Sequence, residues 1–418
     1  MNNRNIQLYV LARFISLIGT GIQTIAVPLF ILDLTGSGTA MGIFSVLTIL
    51  PAIFTAVLSG IIGDRKNRKY VMISMDLARG ALIFILALLA TANYFNIYIL
   101  FIMQVFLSIM DETFSGSSIG LMSELIDNTM LLQANSLKEG FDAVATIIGP
   151  ALGGVLYGLF GIKIIFYINS VSFMLSAILS YFIIYKSNLV KKEKLSTKIF
   201  LREISEVLKF LFRKKGLFQL SLFAMLSNFL LVPLFDLIMP YALKKGIHFS
   251  SQQYGYITCF FTVGLLLGNV AISLYLKKFR LKLLMKIGLI FESFTTIIMC
   301  LLFLPIITLF FKGSIISLFI VMCIFYMLIG FFNATLNTPI STNLQELVPN
   351  DMRSRFFSIF GLLTQVAIPL GSFILGFTLD KIKYYDLLIA LSLIIAIIAL
   401  IFLLKACDEA YEAETITK

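Results

Sequence analysis

Two adjacent carboxylates lie in a long apolar stretch, where charged side chains are rare. Asp111 and Glu112 fall near the centre of residues 97–122, which are mostly hydrophobic. A charge at the centre of a membrane-spanning helix costs about 2.5–3.5 kcal/mol, so such residues tend to face a wet cavity and serve a function. Neighbouring residues on a helix point about 100° apart, so at most one faces the cavity directly. We predict that Asp111 or Glu112 accepts and releases a proton; the alternative is a pair hydrogen-bonded to neighbouring helices or neutralised by Arg13.

A third acidic residue in an apolar stretch is Asp236, which lies between Pro233 and Pro240. Proline removes a backbone hydrogen bond, so the helix around Asp236 should be irregular and should need a cavity or a protein neighbour. Asp236 is therefore a second candidate for proton coupling or for binding a cationic substrate, with a structural hydrogen bond as the alternative. Glu292 also lies in an apolar stretch, but the sequence assigns it no role.

Other polar residues in apolar stretches suit a substrate cavity or a buried ion pair. Gln23 and Gln365 offer neutral hydrogen bonding near the middle of the membrane, and we predict that they line the cavity together with Arg13. Asp76 and Arg79 are three positions apart on a predicted helix, which favours an ion pair between them.

The elements that position these residues are membrane-spanning helices. The chain has 418 residues, of which 59% are hydrophobic and 13% charged, whereas soluble domains carry about a quarter of charged residues. A span needs about 20 apolar residues. We predict an all-α integral membrane protein with twelve transmembrane helices, at about 6–32, 41–62, 70–92, 97–122, 138–160, 162–185, 217–243, 252–276, 283–305, 314–340, 354–379 and 386–405.

The distribution of Lys and Arg predicts how the chain is divided and oriented. Most of these cations fall on the side of residues 64–69, which predicts a multi-pass protein of the cell membrane with both termini in the cytoplasm. The basic stretch 187–216 carries apolar residues at helical spacing, and we predict that it holds an amphipathic helix on the anionic inner leaflet; a solvated linker is the alternative. The predicted parts are an N-terminal half at 1–186, this linker, a C-terminal half at 217–407 and a polar tail at 408–418.

The two halves share residues at one constant offset. That offset places Glu124 on Glu346 and Gly149 on Gly371, and it also matches several further Asn, Ser and Gly residues. Matched polar residues and glycines are harder to explain by chance than matched Leu or Ile. The pattern predicts two six-helix halves related as a parallel repeat, as in one class of transporters.

The turn at residues 60–69 concentrates charge between the second and third predicted spans. Its pattern G-x-x-x-D-R-x-x-R-K contains Gly60, Asp64, Arg65, Arg68 and Lys69. This pattern resembles the cytoplasmic loop between the second and third helices of major facilitator superfamily transporters. The resemblance implies that these residues form a conformational latch, in which Asp64 attracts the start of the eleventh span. An ordinary positively charged cytoplasmic loop is the alternative.

A glycine-rich segment in the fifth predicted span indicates the direction of transport. Gly149, Pro150, Gly153 and Gly154 resemble the G-P-x-x-G-G motif that marks proton-exchanging exporters within the superfamily. Close helix packing through glycine is the alternative. Further stretches resemble the branch that holds macrolide, siderophore and tetracycline exporters: residues 13–19, 35–37 and 76–79.

The fourth span departs from the family pattern. Ser108 stands where the family usually has an arginine that is tied to proton coupling, and the span contains no arginine. This departure puts the family's coupling site in doubt and directs attention to Asp111 and Glu112.

The resemblance implies a secondary active transporter that exports small amphiphilic compounds or drugs by proton antiport through alternating access. It implies a proton gradient as the energy source, with no cofactor or metal. The expected partners are a small-molecule substrate, protons and lipid, without nucleic acid, and the expected state is a monomer. A proton-coupled importer of a small metabolite is the alternative. A polytopic membrane enzyme is disfavoured because the sequence has no acid-rich metal motif and no nucleotide loop.

Overall fold

The regular structure is helical in the part of the chain that the computed structural model describes. The described residues are 3–65, 67–125, 131–185, 197–311, 314–349 and 352–412. The helices are α1 (Asn3–Thr35), α2 (Gly38–Arg65), α3 (Arg68–Thr91), α4 (Ile97–Leu125), α5 (Leu131–Tyr181), α6 (Thr197–Arg213), α7 (Lys215–Pro233), α8 (Met239–Tyr241), α9 (Ser251–Leu274), α10 (Leu281–Leu301), α11 (Pro305–Phe310), α12 (Ile315–Leu347), α13 (Arg353–Leu379), α14 (Tyr384–Lys405) and α15 (Asp408–Tyr411).

Eleven of the described helices are long and apolar enough to cross a membrane. One of them, Ser136–Tyr181, has 46 residues, which at about 1.5 Å per residue is more than twice the length that a bilayer core of about 30 Å requires. Gly161 interrupts this element with φ +70° and ψ −179°, so α5 consists of two helices. They correspond to the predicted spans 138–160 and 162–185, and the all-α membrane fold is confirmed.

The predicted irregularity around Asp236 is also confirmed. The helix that begins with α7 continues through two π-helical turns, Leu234–Ile238 and Ala242–Gly246, which flank the short α8. Asp236 lies in the first of these turns. Pro240 has no backbone N–H to donate, which removes one regular helical hydrogen bond from this region.

The described chain forms two compact units. Unit 1 comprises Met1–Gly36, Ile43–Lys194 and Ser250–Gly255, and unit 2 comprises Ser37–Gly42, Leu195–Phe249 and Tyr256–Lys418. Each unit thus includes one short segment from the opposite predicted half. The exact domain limits at 1–186, 187–216, 217–407 and 408–418 stay a prediction.

Unit 1 is organised around α5. Helices α1 and α3 pack along α5, and α3 also packs against α4. One core cluster of this unit includes Tyr9, Met72, Phe114, Leu121 and Ile183, all of which are buried. This packing brings polar residues of α1, α3, α4 and α5 close together.

Unit 2 is built from α7 packed on α13 and from α10 packed on α12 and α14. Helix α6 forms within the predicted linker, and its predicted position on the inner leaflet stays a prediction. Val207 and Leu211 on its apolar face are buried in a core cluster with Leu217 and Phe356. The apolar face of α6 is therefore covered in part by protein.

Candidate functional site

A cavity of about 490 Å³ lies within unit 1. Helices α1 to α5 all contribute side chains to its wall, and these side chains combine amides, hydroxyls, one carboxylate and apolar groups. The lining residues are Thr20, Gln23, Thr24, Phe44, Thr48, Ile83, Gln104, Leu107, Asp111 and Phe173. This volume includes the open mouth of the cavity. A wall that combines apolar surface with a few placed polar groups is typical of small-molecule sites.

The carboxylate in the cavity wall belongs to a charged cluster. Arg79 Nη1 donates to Asp111 Oδ1 at 2.5 Å, and Arg79 Nη2 donates to Asp76. Ser176 Oγ donates to the second oxygen of Asp76 at 2.7 Å. The predicted pair between Asp76 and Arg79 is therefore confirmed, and Asp111 joins it from α4.

Two aromatic rings hold the Arg79 guanidinium in place. Its central carbon lies 4.2 Å from the centroid of Phe114 and 4.3 Å from that of Phe173. Such placement over ring faces is favourable for a cation. Arg79 is 2% and Asp76 0% exposed, whereas the Asp111 side chain is 38% exposed. Asp111 is thus the accessible end of the cluster, which carries one net negative charge when both carboxylates are ionised.

Glu112 has different surroundings from Asp111. It is half-buried, and it has no hydrogen-bond or ion-pair partner among the described residues. It is not among the residues that line the cavity of unit 1. The two neighbours therefore differ as helical geometry requires, since residues about 100° apart cannot both face the same space.

Two amides supply neutral polar groups to the same cavity. Gln23 accepts a hydrogen bond from Asn169 Nδ2, which orients its amide. Gln104 is 6% exposed, and its Oε1 has no hydrogen-bond partner. A buried carbonyl without a donor is unfavourable, so this oxygen is available to a ligand or a water molecule in the cavity.

Arg13 is engaged away from Asp111 and Glu112. Its Nε lies 2.9 Å from both carboxylate oxygens of Asp142, and Lys138 Nζ lies 3.3 Å from the same carboxylate. Arg13 Nη1 also donates to Ser118 Oγ at 3.3 Å. Arg13 therefore does not neutralise Asp111 or Glu112 in the structure, because its guanidinium binds Asp142 on α5. Arg13 is also not among the lining residues of the cavity.

Two further predicted residues, Asp236 and Gln365, belong to unit 2. Both side chains are exposed, Asp236 in the π-helical turn and Gln365 on α13. Their proposed roles in proton coupling and substrate binding stay predictions. No group of three or more His, Cys, Asp or Glu residues gathers within the described ranges in a way that could hold a metal ion.

The glycine-rich motif lies where α5 meets other helices very closely. A Cβ atom at Gly153 would come within 2.5 Å of the Ile22 carbonyl oxygen, and one at Gly149 within 2.9 Å of Gly21 Cα. Gly154 faces the backbone of Gly255 within unit 1, and Pro150 lies inside α5. Only glycine permits such backbone contact, so the motif has a packing role whatever else it does.

The charged turn is only partly described. Gly60, Asp64 and Arg65 belong to α2, but their side chains lie outside the described residues, so the predicted latch stays a prediction. Arg68 donates to the Gly120 carbonyl oxygen at 2.7 Å and lies 3.0 Å from Glu124. Lys69 Nζ donates to the Tyr181 carbonyl oxygen at 2.7 Å. These two cations thus bind the C-terminal ends of helices in unit 1, where the helix dipole favours positive charge.

Sequence reasoning missed the partners of several of these residues. Asn169 had not been singled out as the partner of Gln23, and Asp142 had not been identified as the partner of Arg13. For Asp111 the alternative of a hydrogen bond to a neighbouring helix holds, since it accepts from Arg79 on α3, but the sequence did not name that partner. One feature of the sequence could have indicated this contact: Arg79 is a cation within a membrane span, where it must pair with an anion.

The sequence and the fold resemble those of known transporters. Residues 3–417 match the family described as transmembrane secretion effector. Macrolide efflux protein A from Streptococcus pyogenes is 24% identical over 393 residues, with 91% of each chain covered. Multidrug efflux pump Tap from Mycolicibacterium fortuitum is 22% identical over 389 residues, covering 90% of this chain and 89% of Tap. The crystal structure of the nucleoside transporter NupG has the same fold, with a TM-score of 0.72, 15% identity and 96% and 99% of the two chains covered.

Proposed function

Because the chain belongs to the transmembrane secretion effector family of the major facilitator superfamily, we propose that it exports small amphiphilic compounds by proton antiport through alternating access. The observation that carries this proposal is the cavity of unit 1, which places apolar walls, amides and the Asp111 carboxylate together. Apolar walls suit the body of an amphiphilic compound, and the amides and carboxylate suit its polar groups.

The relatives support export as the direction of transport. Macrolide efflux protein A and multidrug efflux pump Tap are both named for efflux, and each resembles this chain over about nine tenths of its length. The Gly149–Gly154 motif supports the same direction through its resemblance to the motif of proton-exchanging exporters. The proposed location is the cell membrane, with both termini in the cytoplasm.

Proton coupling is proposed for the acidic residues in the spans. The cluster of Asp76, Arg79 and Asp111 has one carboxylate more than it has cations, and a proton on the accessible Asp111 would remove the excess charge. Such an excess is unfavourable within a membrane unless water or a cation compensates it. Asp111 is therefore our first candidate for the coupling proton, followed by Glu112 and Asp236. The latch formed by Gly60, Asp64, Arg65, Arg68 and Lys69 would link protonation to the change of access.

The substrate class and the direction can be tested in one host. Expression in a drug-sensitive bacterium should lower susceptibility to macrolides, tetracyclines or organic cations, and everted membrane vesicles should accumulate the same compound when they are energised. A protonophore should abolish that accumulation. Uptake into intact cells instead of vesicles would favour the importer.

The coupling residue is tested by separating exchange from net transport. We expect Asp111→Asn or Glu112→Gln to abolish proton-driven export while substrate counterflow continues, because counterflow requires no net proton movement. Asp142→Asn is not a suitable control, since it releases Arg13. Glu346→Gln, which neutralises an exposed acid on α12, is the matched control and should retain both activities. If both activities survive both substitutions, neither Asp111 nor Glu112 couples the proton.

A further inference from the structure

The short helix α15 brings the C-terminal segment back to the start of α7 within unit 2. Ala410 is 0% and Tyr411 2% exposed. The Tyr411 hydroxyl donates to the Phe402 carbonyl oxygen at 3.1 Å, and the centroids of these two rings lie 5.4 Å apart. Burial of both side chains shows that α15 is docked on the helices of unit 2.

Glu409 of α15 caps the first turn of α7. Its Oε2 accepts a hydrogen bond from Gly216 N at 3.0 Å, and its Oε1 accepts one from Lys214 Nζ at 3.1 Å. The first N–H groups of a helix have no intrahelical acceptor, and negative charge near them is favourable. Lys214, the residue before α7, makes no side-chain cap of its own. Glu409 therefore supplies this cap from a position 193 residues away along the chain.

Contacts with α12 and with the backbone of α7 hold α15 in this position. Asn343 on α12 is 0% exposed, and its Nδ2 donates to the carbonyl oxygens of Glu409 and Ala410 at 3.1 and 3.0 Å. A Cβ atom at Gly216 would lie 2.7 Å from Ala410 N, so the backbones of α7 and α15 are in direct contact. Since a buried carbonyl without a donor is unfavourable, the Asn343 amide stabilises the docked position.

The residues that join α14 to α15 are bound to α7 as well. Gln219 Nε2 donates to the Lys405 carbonyl oxygen at 3.0 Å, and Gln219 Oε1 accepts from Cys407 N at 2.9 Å. Lys282 Nζ lies 2.5 Å from Asp408 Oδ1, but this pair is exposed and contributes little. We call residues 405–411 the clasp. Its hydrogen bonds to α7 and α12, rather than the surface ion pair, hold it in place.

The clasp acts on the linker helix because α6 and α7 are almost continuous. Only Lys214 separates the last residue of α6 from the first residue of α7, and its backbone is extended, with φ −95° and ψ 103°. By binding the Lys214 side chain and the Gly216 N–H, the clasp fixes the backbone on which the direction of α6 depends. Val207 and Leu211 of α6 belong to the same core cluster as Tyr411.

We propose that the clasp is a conformational device that fastens the linker helix to unit 2. With Glu409 bound at the junction of α6 and α7, the linker helix keeps its direction and moves with this unit. When Glu409 is released, α6 can turn about Lys214. The clasp needs neither a substrate nor a proton gradient, so it is independent of the proposed export.

Hydrogen–deuterium exchange of the full chain in lipid nanodiscs tests the clasp. Exchange at a protected amide reports how often its hydrogen bond opens. We expect Glu409→Gln to speed exchange of residues 210–219, which span the junction, by about five-fold or more, because a neutral amide replaces a charge-assisted acceptor. Glu412→Gln is the matched control, since the Glu412 side chain has no partner within the described ranges. Its exchange should stay within about two-fold of the parent, as for a surface substitution.

A second variant releases the clasp from the side of α12. Asn343→Ala removes both hydrogen bonds to α15 and changes no residue of the junction. It should also speed exchange of residues 210–219 by about five-fold or more, because two buried carbonyls lose their donor. Size-exclusion profiles show whether each variant is folded.

Three results would overturn the proposal. The first is exchange at the parent's rate in either Glu409→Gln or Asn343→Ala. The second is equally fast exchange in Glu412→Gln. The third is a rise of the same size throughout α10 and α13, which would indicate general destabilisation instead of release of the linker helix. Since the measurement uses neither substrate nor a gradient, a failure of drug export or proton coupling would leave it unaffected.

Discussion

At the scale of single residues, the two arginines within the spans of unit 1 each have particular partners. Arg79 is shared by Asp76 and Asp111, and Arg13 is shared by Asp142 and Ser118. The family pattern would place an arginine on the fourth span, where this chain has Ser108. In this chain the guanidinium of Arg79 reaches Asp111 from α3 instead. Ser108 Oγ instead donates to the Thr48 carbonyl oxygen at 2.6 Å. The same span thus keeps a polar contact and an acid, with its cation on a neighbouring helix.

Substitution of Arg79 and substitution of Asp111 should destabilise the protein to different extents. Arg79→Met leaves the fully buried Asp76 without a cation, and breaking a buried pair in this way costs about 3–5 kcal/mol. Asp111→Asn leaves Arg79 paired with Asp76, and since Asp111 is partly exposed the expected cost is about 1 kcal/mol or less. Thermal unfolding of the purified proteins, followed by size exclusion after heating, measures both. Equal loss of stability in the two variants would contradict this division of the cluster.

At the scale of elements, the N-terminus of α2 is capped by a residue from the end of another helix. Asp380, which follows α13, accepts from Gly38 N at 2.6 Å, from Thr39 N at 3.0 Å and from Ser37 Oγ at 2.6 Å. Ser37 Oγ in turn accepts from Ala40 N at 3.2 Å. The first N–H groups of a helix have no intrahelical acceptor, and a carboxylate there also interacts favourably with the helix dipole. The cap thus ties the start of α2 to the end of α13 within unit 2.

The Asp380 cap should depend on pH in a defined direction. Partial burial opposes ionisation of Asp380, but the hydrogen bonds from Ser37, Thr39 and Gly38 outweigh it and hold the pKa of this carboxyl below its ordinary value. A lowered folded-state pKa contributes stability that is present above the unfolded pKa of about 3.9 and is lost as the pH falls through the folded pKa.

We therefore expect Asp380→Asn to destabilise the protein at pH 7 by about 1 kcal/mol, the usual size of a helix cap. The difference in melting temperature between parent and variant should narrow as the pH is lowered from 7 towards 3, as thermal unfolding in detergent would show. Glu346→Gln is the control and should show no such trend. A difference that stays constant across this range would mean that the charge of Asp380 is not what stabilises the cap.

At the scale of the whole molecule, the membrane topology is the next property to establish. The distribution of Lys and Arg predicts that both termini are cytoplasmic. Alkaline phosphatase fused to the C-terminus of the full chain should be inactive, and green fluorescent protein at the same place should fluoresce. Phosphatase inserted at His248, in a predicted outer loop, should be active. The reverse pattern would invert the topology and with it the assignment of the 60–69 turn to the cytoplasm.

Much of the fold follows from composition along the chain. The twelve predicted spans correspond to described helices, with α5 divided at Gly161. They could be predicted because a span needs about 20 consecutive apolar residues, a property that is visible within one continuous stretch of sequence. The irregular turn around Asp236 followed from its flanking prolines. The amphipathic character of α6 could also be predicted from the sequence. The residues that bury Val207 and Leu211 could not, because they come from elsewhere in the chain.

The amino-acid sequence by itself determined that this is a helical membrane protein and that a few acids lie within its spans, since both are local properties. Only the tertiary structure decided which acid meets a cation: Asp111 has Arg79, whereas Glu292 accepts a hydrogen bond from the Asn333 amide. Arg79 and Asp111 are 32 positions apart and on different helices, and the distance between two such side chains depends on how the helices pack, which no pattern within one helix specifies.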